Sequence, residues 1–211
     1  MTTALLADLP EAQLQAASLC CVRDQRILFR DLSFQLHSGE CLQIEGLNGA
    51  GKTSLLRILC GLLSPREGTI YWRGEDIYEN RTTYHSELLY IGHTPGLKDE
   101  LSPLQNLRFY SSLNKQSEDF AAALDEVGLY GYEDIPVRSL SAGQKRRVAL
   151  ARLWLSDAPL WILDEPLTAI DSAGVHNLER RLEQHCQQGG CLLLTSHQTL
   201  RLPALRQLRL Q

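Results

Sequence analysis

The chain has 211 residues, 44% of them hydrophobic, which is enough for one ordinary domain with an apolar core or for two very small ones. Its 21 Lys and Arg against 25 Asp and Glu give a formal net charge of −4. This balance argues against a general nucleic-acid binder, because such proteins present a strongly basic face. The mean hydropathy of −0.19 and the strand-sized apolar runs predict no membrane-spanning helix.

The start of the chain and its cysteines indicate a protein that is not exported. The first basic residue is Arg23, and Asp8 and Glu11 interrupt the preceding stretch, so no secretory leader is expected. No Cys-x-x-Cys pair occurs. We therefore expect reduced, packed thiols of a cytosolic protein at Cys20, Cys21, Cys41, Cys60, Cys186 and Cys191.

Short apolar runs alternate with helical patterns along the chain, which is typical of an α/β fold with a parallel sheet. A strand is predicted over Cys41–Glu45, followed by a glycine-rich loop and a leucine-spaced helix. Helical patterns dominate from about residue 88 to 155, including Phe120–Val127 and Val148–Leu155. Strands return from Leu160. The pattern predicts a helical insertion within an α/β core.

The glycine-rich loop fits the phosphate-binding pattern G-x-x-x-x-G-K-[ST]. Glycines let the backbone wrap around an anion, and the following helix N-terminus adds partial positive charge. In this pattern the lysine reaches the β- and γ-phosphates and the hydroxyl ligates Mg²⁺. A plain glycine-rich turn is the weaker alternative. The predicted phosphate-binding residues are Gly46, Leu47, Asn48, Gly49, Ala50, Gly51, Lys52, Thr53 and Ser54.

A second motif is an apolar run that ends in two carboxylates. Leu160–Leu163 predicts a strand buried on both faces, and Asp164 and Glu165 follow at its carboxyl end, where ligands gather in such sheets. One acid can hold a metal and the next can orient and deprotonate a water. Alone, this run would better fit a solvated strand end. Together with the phosphate loop, it predicts the second half of a nucleotide site.

A third motif places Ser141 as the N-cap of a helix, followed by Gly143, Gln144 and the basic run 145–147. Such a helix tip offers hydroxyl and backbone donors to a phosphate. On its own, it would better fit a capped helix with a solvated basic first turn.

In their order along the chain and in their residue sequences, these motifs resemble those of the ATP-binding subunits of ABC transporters. The resemblance extends from about Leu14 to the C-terminus. The resemblance implies a P-loop NTPase core sheet with a helical subdomain. It also implies a single domain over residues 1–211, with the core at about 14–87 and 156–211 and the helical subdomain at about 88–155. Ala142 stands where the family's signature usually has glycine. The segment 168–171 resembles the family's loop that contacts the opposite subunit.

The resemblance also implies roles for individual residues. ATP and Mg²⁺ are the expected cofactors, with Thr53 and Asp164 on the metal and Lys52 on the phosphates. Glu165 is the expected catalytic base, and His197 is the expected switch that senses the γ-phosphate; for this histidine an ordinary surface position is the alternative. The signature residues Ser141, Gly143 and Gln144 are expected to contact a nucleotide held by a second copy of the chain.

Two positions depart from the family pattern. His93 stands where a glutamine normally touches the metal and its attacking water, so imidazole is expected to substitute there, with a purely structural role as the alternative. The adenine-stacking aromatic is missing near Val22 and Arg23, and the Arg23 guanidinium is our candidate to lie over the base.

Within the family, the signature wording and the segment Tyr90–Gly96 most resemble the ATP-binding subunit of the haem exporter of bacterial cytochrome c maturation. The resemblance implies an ATPase homodimer, integral-membrane permease subunits and haem-handling membrane proteins as partners, at the cytoplasmic face of the inner membrane. A permease contact is expected near residues 93–110, unless the apolar side chains there only fill the helical subdomain. An ABC ATPase for another substrate, a soluble ABC ATPase and a P-loop kinase or GTPase are the alternatives.

Overall fold

The computed structural model describes residues 13–114, 119–198, 200–203 and 205–210. Residues 1–12, where a secretory leader was considered, lie outside these ranges. None of the helices within the described ranges combines the length and hydropathy that a membrane span needs.

The elements alternate between strands and helices along the chain. In order they are β1 (Leu14–Arg23), β2 (Arg26–Leu36), β3 (Cys41–Glu45), α1 (Lys52–Leu59), β4 (Glu67–Trp72), β5 (Glu75–Asp76), α2 (Arg81–Ser86), β6 (Leu88–Ile91), α3 (Pro103–Asn114), α4 (Phe120–Glu126), a 3-10 turn (Val137–Ser139), α5 (Ala142–Leu155), β7 (Leu160–Asp164), α6 (Ser172–Gln187), β8 (Cys191–Thr195) and β9 (Leu205–Arg209).

Five strands form the predicted parallel sheet, in the order β6-β7-β8-β3-β9. Every residue of β7 and of β8 is buried, as continuous apolar runs covered on both faces require. Because parallel strands end at the same edge, the glycine loop after β3, the acids at the end of β7 and the histidine after β8 all emerge together. The sheet thus assembles the predicted site.

The second sheet is antiparallel and was not predicted. It has the order β2-β1-β4-β5. The β1–β2 hairpin turns at Asp24 (φ 49°) and Gln25 (φ 63°), both left-handed, as a two-residue hairpin loop of type I′ requires. Because the usual Asn-Gly or Asp-Gly pair is absent, this turn was hard to predict from sequence. The hairpin places Arg23 and Arg26 beside the glycine loop.

The helical region packs around a core of its own. Its buried residues come from α3, α4, the 3-10 turn and α5. The predicted helix over 120–127 is confirmed as α4, and the one over 148–155 is confirmed as the second half of α5, which starts earlier, at Ala142. The predicted boundary near residue 88 differs from the structure: Leu88–Ile91 pairs with β7 and belongs to the parallel sheet. A four-residue apolar run does not by itself distinguish strand from helix.

The six cysteines are free thiols, as predicted. Five are buried, and Cys186 is half-buried. Burial raises the pKa of the Cys41 and Cys60 thiols well above the ordinary value. These sulfurs act as small apolar side chains in the core.

Candidate active site

A cavity of about 650 Å³ lies at the carboxyl edge of the parallel sheet. It collects most of the side chains that the sequence singled out. The predicted residues that line it are Arg23, Asn48, Gly49, Gly51, Lys52, Thr53, Ser54, His93, Asp164, Glu165 and His197. Gly46 and Leu47 line a second cavity on the other side of the loop, which Lys52 and His197 also reach, and Ala50 packs on the core.

Gly49 and Gly51, in the loop, have left-handed conformations that other residues rarely adopt. Gly49 has φ 83°, and Gly51, which precedes α1, has φ 100°. A Cβ on Gly51 would also lie 3.0 Å from Cβ of Leu28. The loop therefore needs glycine at these positions to bring its N–H groups around an anion.

Lys52 begins α1, and its side chain folds back over the loop. Its Nζ donates to the Gly46 carbonyl at 2.7 Å and to the Leu47 carbonyl at 3.4 Å. These acceptors are neutral, and a phosphate is a stronger acceptor because it is charged. The ammonium is thus placed to bind a phosphate that enters the loop.

Two hydroxyls flank the Asp164 carboxylate, which is only 1% exposed. Thr53 Oγ1 donates to Asp164 Oδ2 at 2.9 Å, and Thr195 Oγ1 donates to Asp164 Oδ1 at 2.7 Å. A hydroxyl and a carboxylate oxygen at this separation fit Mg²⁺, which typically takes one or two protein oxygens and completes its shell with water and phosphate. Among described residues, no cluster of three His, Cys, Asp or Glu side chains forms a metal cage of its own.

Glu165 has a left-handed backbone (φ 51°), which turns its side chain toward the end of β8. Its N–H donates to Thr195 Oγ1 at 2.9 Å. Its carboxylate accepts from the His197 N–H at 3.3 Å, and His197 Nε2 lies 3.5 Å from Oε1. The predicted base and the predicted switch histidine are therefore neighbours.

The two atypical positions both reach the cavity. His93 is exposed and lines it. Among hydrogen bonds between described residues, none joins His93 to Thr53, Asp164 or Glu165, so its role on the metal stays a prediction. The Arg23 side chain is 71% exposed, and its Nε lies 3.8 Å from the Asp24 carboxylate. Its position at the rim agrees with contact to a bound base, and its stacking also stays a prediction.

The signature residues do not line this cavity. Ser141 and Gln144 form a reciprocal capping box: the Ser141 N–H donates to Gln144 Oε1 at 2.9 Å, and the Gln144 N–H donates to Ser141 Oγ at 3.2 Å. Close packing explains why residue 143 is a glycine, because a Cβ there would lie 2.7 Å from the Ala169 carbonyl oxygen. Ser141 is exposed and Gly143 and Gln144 are half-buried, so the tip of α5 is accessible at Ser141 and lies outside the pocket of its own chain.

The apolar side chains expected near a permease contact differ in how far they are buried. Leu107 is fully buried, and Leu97 and Leu104 pack on the same helical core. Phe109 is 39% exposed. The alternative, that these residues mainly fill the helical region, holds for the three leucines.

Sequence reasoning missed two polar residues of the site. Thr195 is fully buried and bonds both acids of the motif at the end of β7. Arg146, in the basic run thought to be solvated, is only 4% exposed and donates to the backbone of both acids. For Thr195, the sequence feature that could have indicated a role in the site was a hydroxyl within an otherwise apolar strand. Nothing local distinguished Arg146 from its basic neighbours.

Known proteins are similar to this chain in sequence and in fold. The family described as ABC transporter matches residues 29–168. The cytochrome c biogenesis ATP-binding export protein CcmA of Yersinia pestis is 58% identical over 189 residues, 89% of this chain and 87% of that protein. The protein of the same name from Vibrio cholerae is 54% identical over 202 residues, 93% of this chain and 98% of the relative.

A solved structure described as the ATP binding subunit of an ABC transporter matches with a TM-score of 0.80 and 29% identity, over 88% of this chain and 79% of that one. Its fold agrees with the parallel sheet and the helical region described above. The chain therefore belongs to the ABC transporter family, as one of its nucleotide-binding ATPase subunits.

Proposed function

We propose that this chain is the ATP-hydrolysing motor of a membrane transporter complex that serves c-type cytochrome biogenesis, by exporting haem or by releasing a haem-loaded chaperone. The observation that carries the proposal is the convergence of the phosphate loop, Asp164, Glu165 and His197 on one cavity. The pathway rests on the relatives, whose printed names describe export proteins of cytochrome c biogenesis.

In this proposal, each side chain has a defined task. Lys52 would neutralise phosphate charge, and Thr53 and Asp164 would hold Mg²⁺, which would supply further neutralisation of phosphate charge. Glu165 orients a water and accepts its proton. His197, whose Nε2 is 3.5 Å from Glu165 Oε1, bonds the γ-phosphate and reports whether it is intact. His93 would help Thr53 and Asp164 to hold the metal, and Arg23 would lie over the adenine.

We further propose that two copies pair head to tail. Ser141, Gly143 and Gln144 sit on an exposed helix tip outside their own cavity, and a helix N-terminus attracts phosphate. A γ-phosphate held between one copy's loop and the other's helix tip becomes part of the interface. Hydrolysis removes that charge, and the two copies then separate.

The partners in the proposal are integral-membrane permease subunits, with haem-handling membrane proteins beside them, and the chain sits peripherally on the cytoplasmic face of the inner membrane. No nucleic acid is expected as a partner. The exposed Phe109, on α3 next to the loop that carries His93, is the apolar contact we assign to the permease.

The test is genetic and biochemical. Cells that lack this chain should lose covalent haem on their c-type cytochromes in a haem-stained gel, and the wild-type chain should restore it. Lys52→Ala should fail because ATP binds weakly, and Glu165→Gln should fail although ATP binds. The variant Glu75→Gln, on β5, is the matched control and should restore haem attachment.

Intact c-type cytochromes in the deletion strain would reject the proposed pathway and favour an ABC ATPase for another substrate. In membrane fractions, the chain should co-purify with a multi-spanning subunit that stimulates its ATPase rate. A chain that stays out of the membrane fraction and whose rate depends on no such subunit would contradict the transporter assignment.

A further inference from the structure

Near its start, at residues 145–147, α5 carries three consecutive basic residues, and each contacts a different segment. Lys145 Nζ lies 3.0 Å from the Asp99 carboxylate, in the loop after β6. Arg147 Nη2 lies 2.6 Å from the Asp171 carboxylate, before α6. Both pairs join exposed carboxylates to the helix. Arg146, between them, makes a different kind of contact.

The Arg146 side chain is buried, with 4% exposure, and binds backbone rather than carboxylates. Its Nη1 donates to the Gly92 carbonyl at 2.6 Å. Its Nη2 donates to the Asp164 carbonyl at 2.7 Å and to the Glu165 carbonyl at 2.9 Å. One planar fork therefore holds the residue before His93 and both acids at the end of β7.

A buried cation held by neutral carbonyls is an expensive arrangement. Burial lowers the pKa of Arg146, and the negative charges of Asp164 and Glu165 oppose that shift. Guanidinium remains charged in proteins, so the cation persists beside the two acids. The guanidinium donates to three carbonyls at once, and a packed apolar residue would leave them without that donor.

The Arg146 contacts join three parts of the proposed ATPase whose relative positions matter for hydrolysis. These are the start of α5, the backbone of Glu165 and the loop that carries His93. Arg146 lies five residues beyond Ser141, the cap of the exposed helix tip. The strained backbone of Glu165 (φ 51°) is fixed by this carbonyl contact and by the N–H bond to Thr195. Lysine is a point donor and cannot span the same carbonyls with fixed geometry.

We propose that Arg146 is a positioning residue for ATP hydrolysis, which ties the N-terminus of α5 to the backbone of Glu165 and to the loop that carries His93. Arg146 does not itself line the cavity. When the tip of α5 contacts the nucleotide of the neighbouring copy, the Arg146 guanidinium holds the catalytic base Glu165 and the loop that carries His93 in fixed positions relative to that tip. This inference rests on the proposed ATPase function.

The experiment compares Arg146→Met, Arg146→Lys and Arg146→Gln with Arg181→Met in the full chain, with its membrane partner if the wild type needs it. Arg181 is the matched control: its Nε donates to the Leu153 carbonyl at 3.0 Å, its guanidinium lies over the Trp161 ring, and it lines no part of the site. Urea unfolding first identifies conditions in which each variant is folded. Then kcat, KM and the affinity for a fluorescent ATP analogue are measured.

Arg146→Met should lower kcat by about tenfold to a hundredfold, because misplacement of a catalytic group by ~1 Å has effects of this size. KM and analogue affinity should stay within about twofold, the pattern of an interaction that matters in the transition state. Arg146→Lys and Arg146→Gln should show the same split with a smaller loss. Arg181→Met, once folded, should match the wild-type kcat.

A folded Arg146→Met with wild-type kcat would overturn the proposal, as would equal kcat losses in Arg146→Met and Arg181→Met. If Arg146→Met does not fold, Arg146→Lys and Arg146→Gln provide the test. A wild-type kcat in both of these variants would reject the positioning role of Arg146. Hydrogen exchange gives a measure independent of activity: peptides containing His93 and Glu165 should exchange faster in the folded Arg146 variants only. An inactive wild type would count against the ATPase function, whereas unchanged exchange would count against Arg146.

Discussion

At the scale of single residues, the site depends on how the buried Asp164 carboxylate is satisfied. Each of its oxygens accepts one hydroxyl hydrogen bond, from Thr53 and from Thr195. The Thr53 bond is the one that a metal would replace, because Thr53 belongs to the phosphate loop. The Thr195 bond stays with the protein, so Thr195 fixes the carboxylate while the other oxygen faces the cavity.

We predict that Thr195→Val destabilises the chain by about 1–3 kcal/mol, the usual cost of leaving a buried polar group without its partner. Valine has nearly the same shape, so packing changes little. The ATPase rate should fall as well, because the Glu165 N–H also loses its acceptor. Urea unfolding and a steady-state ATPase assay measure the two effects.

Thr195→Ser is the control for that prediction, because it keeps the hydroxyl. It should retain most of the stability and rate. Equal losses in the serine and valine variants would mean that the methyl group, and not the hydrogen bond, supports the site.

The residues that sequence could identify are those whose role depends on local spacing. Lys52 and Thr53 end a glycine-rich loop motif, Asp164 and Glu165 end an apolar run, and the structure places all four on one cavity. Thr195 and Arg146 were missed because their roles depend on partners 31 and 54 residues away along the chain, at Asp164 and Gly92. Such partners become visible only when the strand order is known.

At the scale of elements, helix α5 links the site to the rest of the chain. Its start packs closely on the loop before α6, where a Cβ on Gly143 would meet the Ala169 carbonyl at 2.7 Å. Ala169 already has a left-handed backbone (φ 62°), so this loop has little freedom to move away.

We predict that Gly143→Ala lowers the ATPase rate by about tenfold or more, because the loop 168–171 must shift by several tenths of an ångström at a site that needs fixed geometry. Helix propensity opposes any loss of stability, since alanine is the better helix former. Ala142→Gly, which restores the family's usual residue, should leave the rate near wild type. A fully active Gly143→Ala would show that the close approach to Ala169 is not required.

A second element contact concerns α6 and β7. The His185 ring stacks on Trp161 with 3.8 Å between ring centroids and 4° between planes. Burial, together with the nearby Arg181 cation, lowers the pKa of His185 from 6.5 to about 4, and a hydrogen bond to the Cys191 carbonyl partly opposes the shift. In the folded protein, the ring is therefore neutral at ordinary pH.

Since the unfolded chain binds a proton at His185 below pH 6.5 and the folded chain does so only near pH 4, this group's contribution to stability is complete above pH 6.5. It is lost as pH falls toward 4 and amounts to about 3 kcal/mol in all. His185→Phe, which keeps a stacked ring, should remove that part of the pH dependence. Urea unfolding at several pH values checks it; curves of equal slope between pH 6.5 and 4 would contradict it.

Elements whose sequence has a uniform apolar or helical pattern were predictable. Elements whose identity depends on which strands pair were not. Strands β7 and β8 and helix α4 follow from apolar runs and helical spacing. The antiparallel sheet and the membership of β6 in the parallel sheet depend on which strands meet, and the short run at 88–91 has no period of its own. The end of the helical region at Leu155 was marked by the following turn and strand.

At the scale of the whole molecule, the fold separates two halves of a nucleotide site. The phosphate loop, the acids and His197 share one cavity, whereas Ser141, Gly143 and Gln144 lie on an exposed helix tip elsewhere on the same chain. Two copies arranged head to tail would bring the halves together twice, in one closed interface with two equivalent nucleotide sites. Arg146 would then connect each helix tip to the acids of its own chain.

The most direct test is the mass of the Glu165→Gln variant with Mg²⁺ and ATP, measured by light scattering after size-exclusion chromatography. We expect a mass of two chains with ATP and of one chain with ADP, because the γ-phosphate joins the copies. Adding Ser141→Arg should block pairing while a fluorescent ATP analogue still binds. A Glu165→Gln chain that binds ATP at saturation and remains a single chain would contradict the account.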